Sequence, residues 1–494
     1  SITFAKNYGN YHIWIIGLQF SAIYGRIKFM QRILIKDIKD KIGETVLLSG
    51  WVDIRRDHGK LVFIDLRDAS GKAQLVILPN HKEVYEAAEK VRPEWVVEIK
   101  GIVNKRPEKM INADQSLGAV EIEVLELSVL NEAETPPFEI NGDGYEIGEE
   151  HRLKYRYIDL RRERMQKNLR MRHKVIKFIR DYLSDKDFIE VETPLLTKST
   201  PEGARDYIVP SRLEIGKFYA LPQAPQQYKQ ILMASGVEKY FQIAKCLRDE
   251  DTRGDRQPEF TQVDIEASFV SSDDIMNLIE NILIETVEKL YPEKIIQEKP
   301  FPRISYKEAM EKYGNDRPDI REDKNNPNLL AFLWVIDFPF FEKTDNDKWT
   351  FTHNPFSAPQ KEYKEAFLNK EKIGEILSDQ YDIVLNGLEI GGGSIRSHES
   401  GMLKKTLEVI GLDEESISRD FGHMLKALSS GAPPHGGIAL GFDRLLSIFQ
   451  NEPNIREVIA FPKTGDGREL MTGSPSDVPK NQLEELGIEI KKKK

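Results

Sequence analysis

Cysteine is almost absent from this chain: of 494 residues, only Cys246 carries a thiol. A single thiol rules out an intrachain disulfide framework and a cysteine-rich zinc site, and a reducing cytosol is its natural setting. An excess of positive charge is also missing. The 71 Lys and Arg residues stand against 81 Asp and Glu, for a net charge of −10. Total charge therefore does not imply a nucleic-acid partner, although a local basic patch is compatible with one. Long apolar runs are lacking too. The stretch YHIWIIGLQFSAIYG (residues 11–25) is too short for a membrane span and lacks the basic start and small-residue cleavage site of an export signal. Residues 1–29 are read as an upstream extension, disordered or from a mis-set start, because Met30 opens a clean amphipathic segment. There is no internal repeat, and low complexity is confined to the tail IEIKKKK, a frayed end.

What is present is enough for a large core. With 40% hydrophobic and 31% charged residues, the length suggests two to four domains. From residue 46, TVLLSGWVDIRRD, LVFIDLRD and AQLVILP alternate apolar and polar residues and are split by turn signals at His58-Gly59 and Ser70-Gly71. EWVVEIKGIVNKR and AVEIEVLELSVLN add two strands, with HKEVYEAAEKV as a helix between the third and fourth. Five strands with that helix fit a Greek-key barrel of the oligonucleotide-binding (OB) kind, over residues 30–133; an unrelated small β-barrel has the same pattern. The Pro- and Gly-rich stretch ETPPFEINGDGYEIGEE reads as a linker, placing a hinge at residues 134–160. HRLKYRYIDLRRERMQKNLRMRHK then begins a basic helix, either a solvated face or a surface for RNA phosphates. Beyond residue 175, helices and strands mix without strict βαβ alternation, which indicates an α+β domain with an antiparallel sheet through residue 494.

One hairpin poses a chemical question. In FQIAKCLRDEDTRGDRQPEFTQVDIE (residues 241–266), two strands flank a loop crowded with charge. With a period of two, Gln242 and Arg248 share a face, as do Gln262, Asp264 and Glu266, while Thr261, Val263 and Ile265 take the other. A solvated face explains that pattern cheaply. A rigid Arg fork, amides and carboxylates on one face also suit a ligand that is anionic in one part and cationic in another. Other segments supply matching groups: Glu202 in TPEGARDY, Gln226 and Lys229 in LPQAPQQYKQ, and Asp382 and Glu389 ahead of the triple glycine and Arg396 in YDIVLNGLEIGGGSIRSHE. GGIALGFDRLL brings Arg444 just after a strand-to-helix junction. Singly these are weak, and GGG by itself is usually a turn or a bulge.

Taken together and in this order, they resemble the class II aminoacyl-tRNA synthetases, and among these the bacterial aspartyl-tRNA synthetases, from about residue 30 to residue 490. The resemblance rests on a first motif around FIEVETPLLTKSTPEGARDY, a second in LRDEDTRGDRQPEFTQVDIE and a third in GGIALGFDRLL, with HNPFSAP and AFPKTGDGRELMTGSPS in support. It implies an ATP-dependent ligase that activates aspartate and passes it to a tRNA, with Mg²⁺ accompanying the ATP and with residues 161–494 as the catalytic domain. It also implies a homodimer with Pro194 near the two-fold seam.

The same resemblance implies roles. Arg248 would hold the α-phosphate and the reacting carboxylate, and Arg444 the γ-phosphate end. Asp249, Glu250 and Gln257 would address the ATP, Phe260 would stack under adenine, and Gly441, Phe442 and Asp443 would complete that half of the site. Asp382 and Glu389 would bind Mg²⁺, whose preference is for hard carboxylate oxygens. Lys229 and Arg396 would pair with the substrate's side-chain carboxylate, leaving a positive pocket under-compensated by asparagine; Glu202 and Asp264 would take its ammonium, with Gln226 beside them. His353 would sit near the substrate, or be structural. In the barrel, Phe63 would stack an anticodon base while Arg56 and Gln74 read its edges; from LVFIDL alone, Phe63 is equally plausible as a core aromatic.

Three departures qualify the likeness. The family often has two adjacent histidines where this chain has His353-Asn354. The large domain usually inserted between the second and third motifs is reduced to a short loop near residues 314–330. His58 follows Arg56-Asp57, and in bacterial relatives a histidine there accompanies enzymes that charge tRNA(Asn) as well as tRNA(Asp). An asparaginyl or lysyl synthetase would share barrel and motifs, but Lys229 with Arg396 favours an acidic side chain. An aspartate–ammonia ligase would not need the barrel. A non-catalytic paralogue would be expected to lose Arg248, Glu389 or Arg444, and all are present.

Overall fold

The computed structural model describes residues 30–112, 117–199 and 203–491. It divides into two compact units that meet in the chain at residues 139 and 140. The stretch read as an extension, residues 1–29, lies outside the described residues.

The first unit is a closed barrel. Its strands are Thr45–His58, Leu61–Asp68, Gly71–Ile77, Val96–Lys105 and Val120–Asn131, and the fifth pairs with both the third and the fourth. Alternation explains the closure. Val62, Ile64 and Leu66 point inward from the second strand, Ala73, Leu75 and Ile77 from the third, and Val97, Ile99 and Val103 from the fourth. Helix Lys82–Lys90 adds Val84 and Ala88, one turn apart, to that core.

The second unit is built on an eight-stranded sheet. In spatial order the strands are Arg303–Ser305, Phe332–Ile336, Gln380–Leu385, Leu388–Ile395, His435–Gly441, Glu259–Ser268, Lys239–Leu247 and Ile189–Glu190. The interior pairs are antiparallel, and the two edge strands pair in parallel. The sheet is thus mixed, and more varied than the antiparallel expectation. One face carries Val263, Ile265, Tyr381, Ile383, Ile438 and Leu440 into the main core. Helices Glu163–Ser184, Ser272–Leu290 and Phe442–Phe449 cover it with stripes such as Val175, Ile179 and Leu183, four residues apart.

Part of the basic segment after residue 150 is neither a solvated face nor an open RNA surface, while Lys154, Lys167, Arg170 and Lys174 are exposed. Arg152 donates to Glu457 at 2.8 Å, Arg156 and Arg162 to Asp159 at 2.7 and 2.9 Å, and Arg164 to Glu452 and Glu457 at 2.6 and 2.9 Å. Helices Glu149–Lys154 and Arg156–Asp159, inside the stretch expected to be a hinge, are fastened to the second unit by this buried network. Glu457 lies about 300 residues downstream of its arginine partners, which is why local sequence gave no sign of it.

Candidate active site

The opposite face of the large sheet is polar and nevertheless buried. Register decides what shares it. Gln242 pairs with Asp264, Asp264 with Ala439, Ala439 with Gly392 and Gly392 with Asp382, a row across five strands. The next row runs Tyr240, Glu266, Gly437, Ser394 and Gln380. At about 4.8 Å per strand, Asp264 and Asp382 stand roughly 14 Å apart, with only small residues between them. A cavity of about 590 Å³ lies over this floor.

The glycines make that floor possible. A Cβ on Gly392 would lie 2.7 Å from Asp382 Oδ1, and one on Gly437 would lie 2.1 Å from Glu266 Oε2. Neither position admits a side chain without displacing a carboxylate. The triple glycine is therefore the interior of a strand under close approach, not a turn; Ile383 pairs with Gly391 and Val384 with Glu389, so the register slip leaves Ile390, just before the glycines, as the extra residue.

Four buried charges form the centre. Lys229 Nζ is 2.7 Å from Asp264 Oδ1 and 3.2 Å from Glu266 Oε2. Arg396 donates from Nε and Nη2 to the two oxygens of Glu266, at 2.9 and 3.1 Å, and from Nη1 to Ser394 Oγ at 2.7 Å. Burial pushes the Glu266 carboxyl up, but Arg396 and Lys229 outweigh it and bring the pKa down to about 2. At Asp264 the balance is reversed: burial raises its pKa against the pull of Lys229. The expected positive pocket is thus corrected. Lys229 and Arg396 are already paired with Asp264 and Glu266. Glu266 occupies one side of the Arg396 guanidinium, and the Nη1/Nη2 edge retains N–H groups for a second carboxylate. Asp264 Oδ2 and Gln226 Nε2 are buried without a hydrogen-bond partner, and both residues line the cavity. One is an acceptor and the other a donor.

Around the centre stand the other expected groups. The Arg248 guanidinium lies 5.2 Å from the Phe260 ring centroid, and Glu250 and Gln257 line the wall beside it. Gln257 Oε1 accepts from the Lys463 N–H at 2.8 Å, while its Nε2 is buried without a partner. His353 Nε2 is 3.2 Å from Asp382 Oδ2. The recessed position of the ring lowers its pKa, but Asp382 and then Glu389 raise it to about 9. Crowding and the neighbouring Asp382 raise the Glu389 carboxyl. Arg444 opens helix Phe442–Phe449 and reaches the Glu389 carbonyl and Asp255.

Some expected residues stand elsewhere. Phe442 is in the main core, under the Arg172 guanidinium, because the strand-to-helix junction turns its ring away from the cavity. Asp443 reaches the cavity edge, but its oxygens are engaged by the Thr261 N–H at 2.7 Å and by Arg172. Asp249 faces Arg205 outside the cavity lining, at 3.7 Å. Glu202 lies outside the described residues, though Gly203 and Ala204 line the cavity. Sequence reasoning assigned no role to Glu266 or Asp255. Glu266 shared a polar face with Asp264 and could have been found there; Asp255 carried no local signal.

On the barrel, Arg56 pairs with Phe63 and Asp65 with Gln74, so these four side chains share the outer face. Arg56 is bridged to Asp65 at 2.9 Å, and Gln74 donates to Glu121 at 3.3 Å. Phe63 lies outside the core and is half-buried, with the His58 ring edge-on at 6.3 Å.

Comparison with known proteins gives a consistent result. A model of tRNA synthetases class II (D, K and N) matches residues 148–465, and one of the OB-fold nucleic acid binding domain matches residues 46–130. The chain is 40% identical to the aspartate–tRNA(Asp/Asn) ligase of Rubrobacter xylanophilus, over 91% of this chain and 95% of that protein. It is 39% identical to the aspartate–tRNA ligase of Staphylococcus aureus, over 91% and 97% respectively. The Rubrobacter alignment runs over 573 positions, more than the 494 residues of this chain, so the relative carries segments with no counterpart here. Among solved structures, asparaginyl-tRNA synthetase from Pyrococcus horikoshii complexed with asparaginyl-adenylate superposes with a TM-score of 0.69 at 22% identity, covering 88% of this chain and 98% of that one. Aspartyl-tRNA synthetase from Entamoeba histolytica gives 0.70 at 22%, covering 88% and 92%.

Proposed function

The chain belongs to the class II tRNA synthetases of the D, K and N group, and from that premise we propose that it is an aspartate–tRNA ligase whose amino-acid seat is the Lys229–Asp264–Glu266–Arg396 cluster. The observation that carries this reading is the cluster itself. A cation fork remains available for a side-chain carboxylate, beside an unpartnered carboxylate oxygen suited to an ammonium.

In the first step an oxygen of the substrate's α-carboxylate attacks the α-phosphorus of ATP. The bond to the bridging oxygen breaks, giving aspartyl-adenylate and pyrophosphate. In the second, a ribose hydroxyl of the tRNA's terminal adenosine attacks the acyl carbon and AMP leaves. Neither step calls for a protein nucleophile. The protein's part is to hold two anions together and to offset developing charge. Arg248, over Phe260, serves that purpose at the reacting centre, with the ring as a platform for adenine and Gln257 as a neighbouring donor. Asp382 and Glu389 suit a hard divalent cation: burial and Asp382 keep the Glu389 carboxyl raised, and among the described residues no Lys or Arg forms an ion pair with either. Mg²⁺ is commonly held by one or two carboxylates together with substrate phosphates. Bound there, Mg²⁺ supplies charge neutralisation on the phosphates.

The barrel face of Arg56, Phe63 and Gln74 serves as the anticodon platform, and His58 beside Phe63 favours acceptance of tRNA(Asn) as well as tRNA(Asp). A homodimer is part of the same reading: Leu195, Leu196, Ile208, Leu213 and Phe218, all within 25 residues after Pro194 in the chain, are exposed apolar residues of the second unit. Among the described residues no helix is long and apolar enough to cross a membrane, and the cytosol is the proposed place of action. The test is charging of purified tRNA(Asp) and tRNA(Asn) with labelled aspartate, alongside aspartate-dependent ATP–pyrophosphate exchange. Exchange with asparagine but not aspartate would overturn the assignment.

A further inference from the structure

By the family resemblance Arg444 would receive the terminal phosphate of ATP, and that cation is already engaged. Its Nη2 donates to the Asp255 carboxylate at 3.2 Å and to the Asp255 carbonyl at 3.3 Å. Its Nη1 donates to the Glu389 carbonyl, and its Nε is buried without a partner. Asp255 is thus the anion in the place where an incoming phosphate would seek donors. It sits on the tip of the charged hairpin loop, in a turn closed by mutual N–H···O bonds between Arg253 and Arg256 at 3.2 Å. The base of the loop is fixed by the Arg248 N–H on the Pro258 carbonyl at 2.9 Å. The tip is tied down by few contacts: the Ile455 N–H to the Gly254 carbonyl at 3.2 Å, Arg456 to the Arg253 carbonyl at 3.3 Å, and Thr252 to the Gly465 carbonyl.

We propose that Asp255 is a built-in stand-in for phosphate, occupying Arg444 in the empty enzyme and yielding it when the polyphosphate of ATP arrives. A partly buried guanidinium without an anion is costly, so the pair lowers the energy of the empty state. Carboxylate and phosphate compete for the same N–H donors, and two anions on one cation repel each other. ATP must therefore displace Asp255, and its net affinity is reduced by the strength of that pair. The return of Asp255 likewise works against pyrophosphate lingering on Arg444. This inference rests on Arg444 receiving the phosphate end of ATP.

The test is Asp255→Asn in the full chain, with calorimetric affinities for ATP and for AMP, which lacks the β- and γ-phosphates. The variant is expected to bind ATP about two- to fivefold more tightly, the range of a partly exposed ion pair, with no gain for AMP. Asp255→Ala should act in the same direction, which separates loss of charge from a new contact of the amide. Unchanged or weakened ATP binding overturns the proposal, as does an equal gain for AMP. Arg444→Gln distinguishes the parent reading: if it keeps the wild-type preference for ATP over AMP, Arg444 is not the phosphate seat, and the fault lies there rather than with Asp255.

Discussion

Replacing Arg396 by leucine separates two consequences that the structure places on one side chain. The guanidinium makes two charge-assisted bonds to Glu266 and one hydrogen bond to Ser394, all buried. Its removal leaves Glu266 with Lys229 alone, at 3.2 Å, and Lys229 is shared with Asp264. Breaking a buried pair by deleting one partner costs about 3–5 kcal/mol, because an uncompensated charge stays behind. Removing both partners costs much less. Arg396→Leu should therefore lose about 3–5 kcal/mol in denaturant unfolding, and Arg396→Leu with Glu266→Gln should recover a good part of it. Activity should not recover. A carboxylate held by two charge-assisted bonds, each worth about 1.5–3 kcal/mol, loses roughly 10²- to 10⁴-fold in kcat/KM for aspartate when both go. ATP–pyrophosphate exchange at saturating ATP measures this, with direct ATP binding as the control. If the double variant is as unstable as the two single losses summed, the pair is not coupled. If exchange survives within a few-fold in either variant, Arg396 does not hold the substrate carboxylate.

Further expectations follow from single contacts. Gly437→Ala places a methyl group 2.1 Å from both Glu266 Oε2 and the Ile265 carbonyl; overpacking of that order costs about 1–3 kcal/mol and should raise KM for aspartate with ATP binding preserved, and unchanged exchange kinetics would show that the floor is soft. Phe63→Ala should weaken tRNA charging while sparing pyrophosphate exchange and melting temperature, since the ring lies outside the barrel core; a fall in all three would make it structural. Glu457 titrates at about 2 in the fold, where burial raises its pKa but Arg152 and Arg164 outweigh that, against 4.5 for the free group. A depressed carboxylate contributes stability that is full above pH 4.5 and lost as pH falls toward 2. Melting curves across that window should show a shallower acid dependence for Glu457→Gln than for wild type, and equal slopes would remove the network from acid unfolding.

Local pattern carried a great deal. Alternation of apolar residues between 45 and 131 was enough for a barrel, since side chains of a strand alternate by geometry alone. The same period put Gln262, Asp264 and Glu266 on one face of their strand, and the motif stretches placed Lys229, Arg248, Asp382, Glu389, Arg396 and Arg444 around one cavity. The direction of the third motif was misjudged at Phe442, whose apolar ring is drawn to the core side of the junction.

What the sequence could not decide was whether that polar face is wet or buried, and which charges are already matched. Burial depends on strands paired across the sheet, and charge matching on partners far apart in the chain: Arg396 and Glu266 are separated by 130 residues, Arg444 and Asp255 by 189, Arg152 and Glu457 by 305. Sequence by itself therefore determined the chemical inventory, the strand faces and the order of the motifs, because these are set within a few residues. Tertiary structure alone determined the pairing of Lys229 and Arg396 with Asp264 and Glu266, the anchoring of the expected hinge and the occupation of Arg444, because Coulomb energies are set by distance in space and by the water that folding excludes.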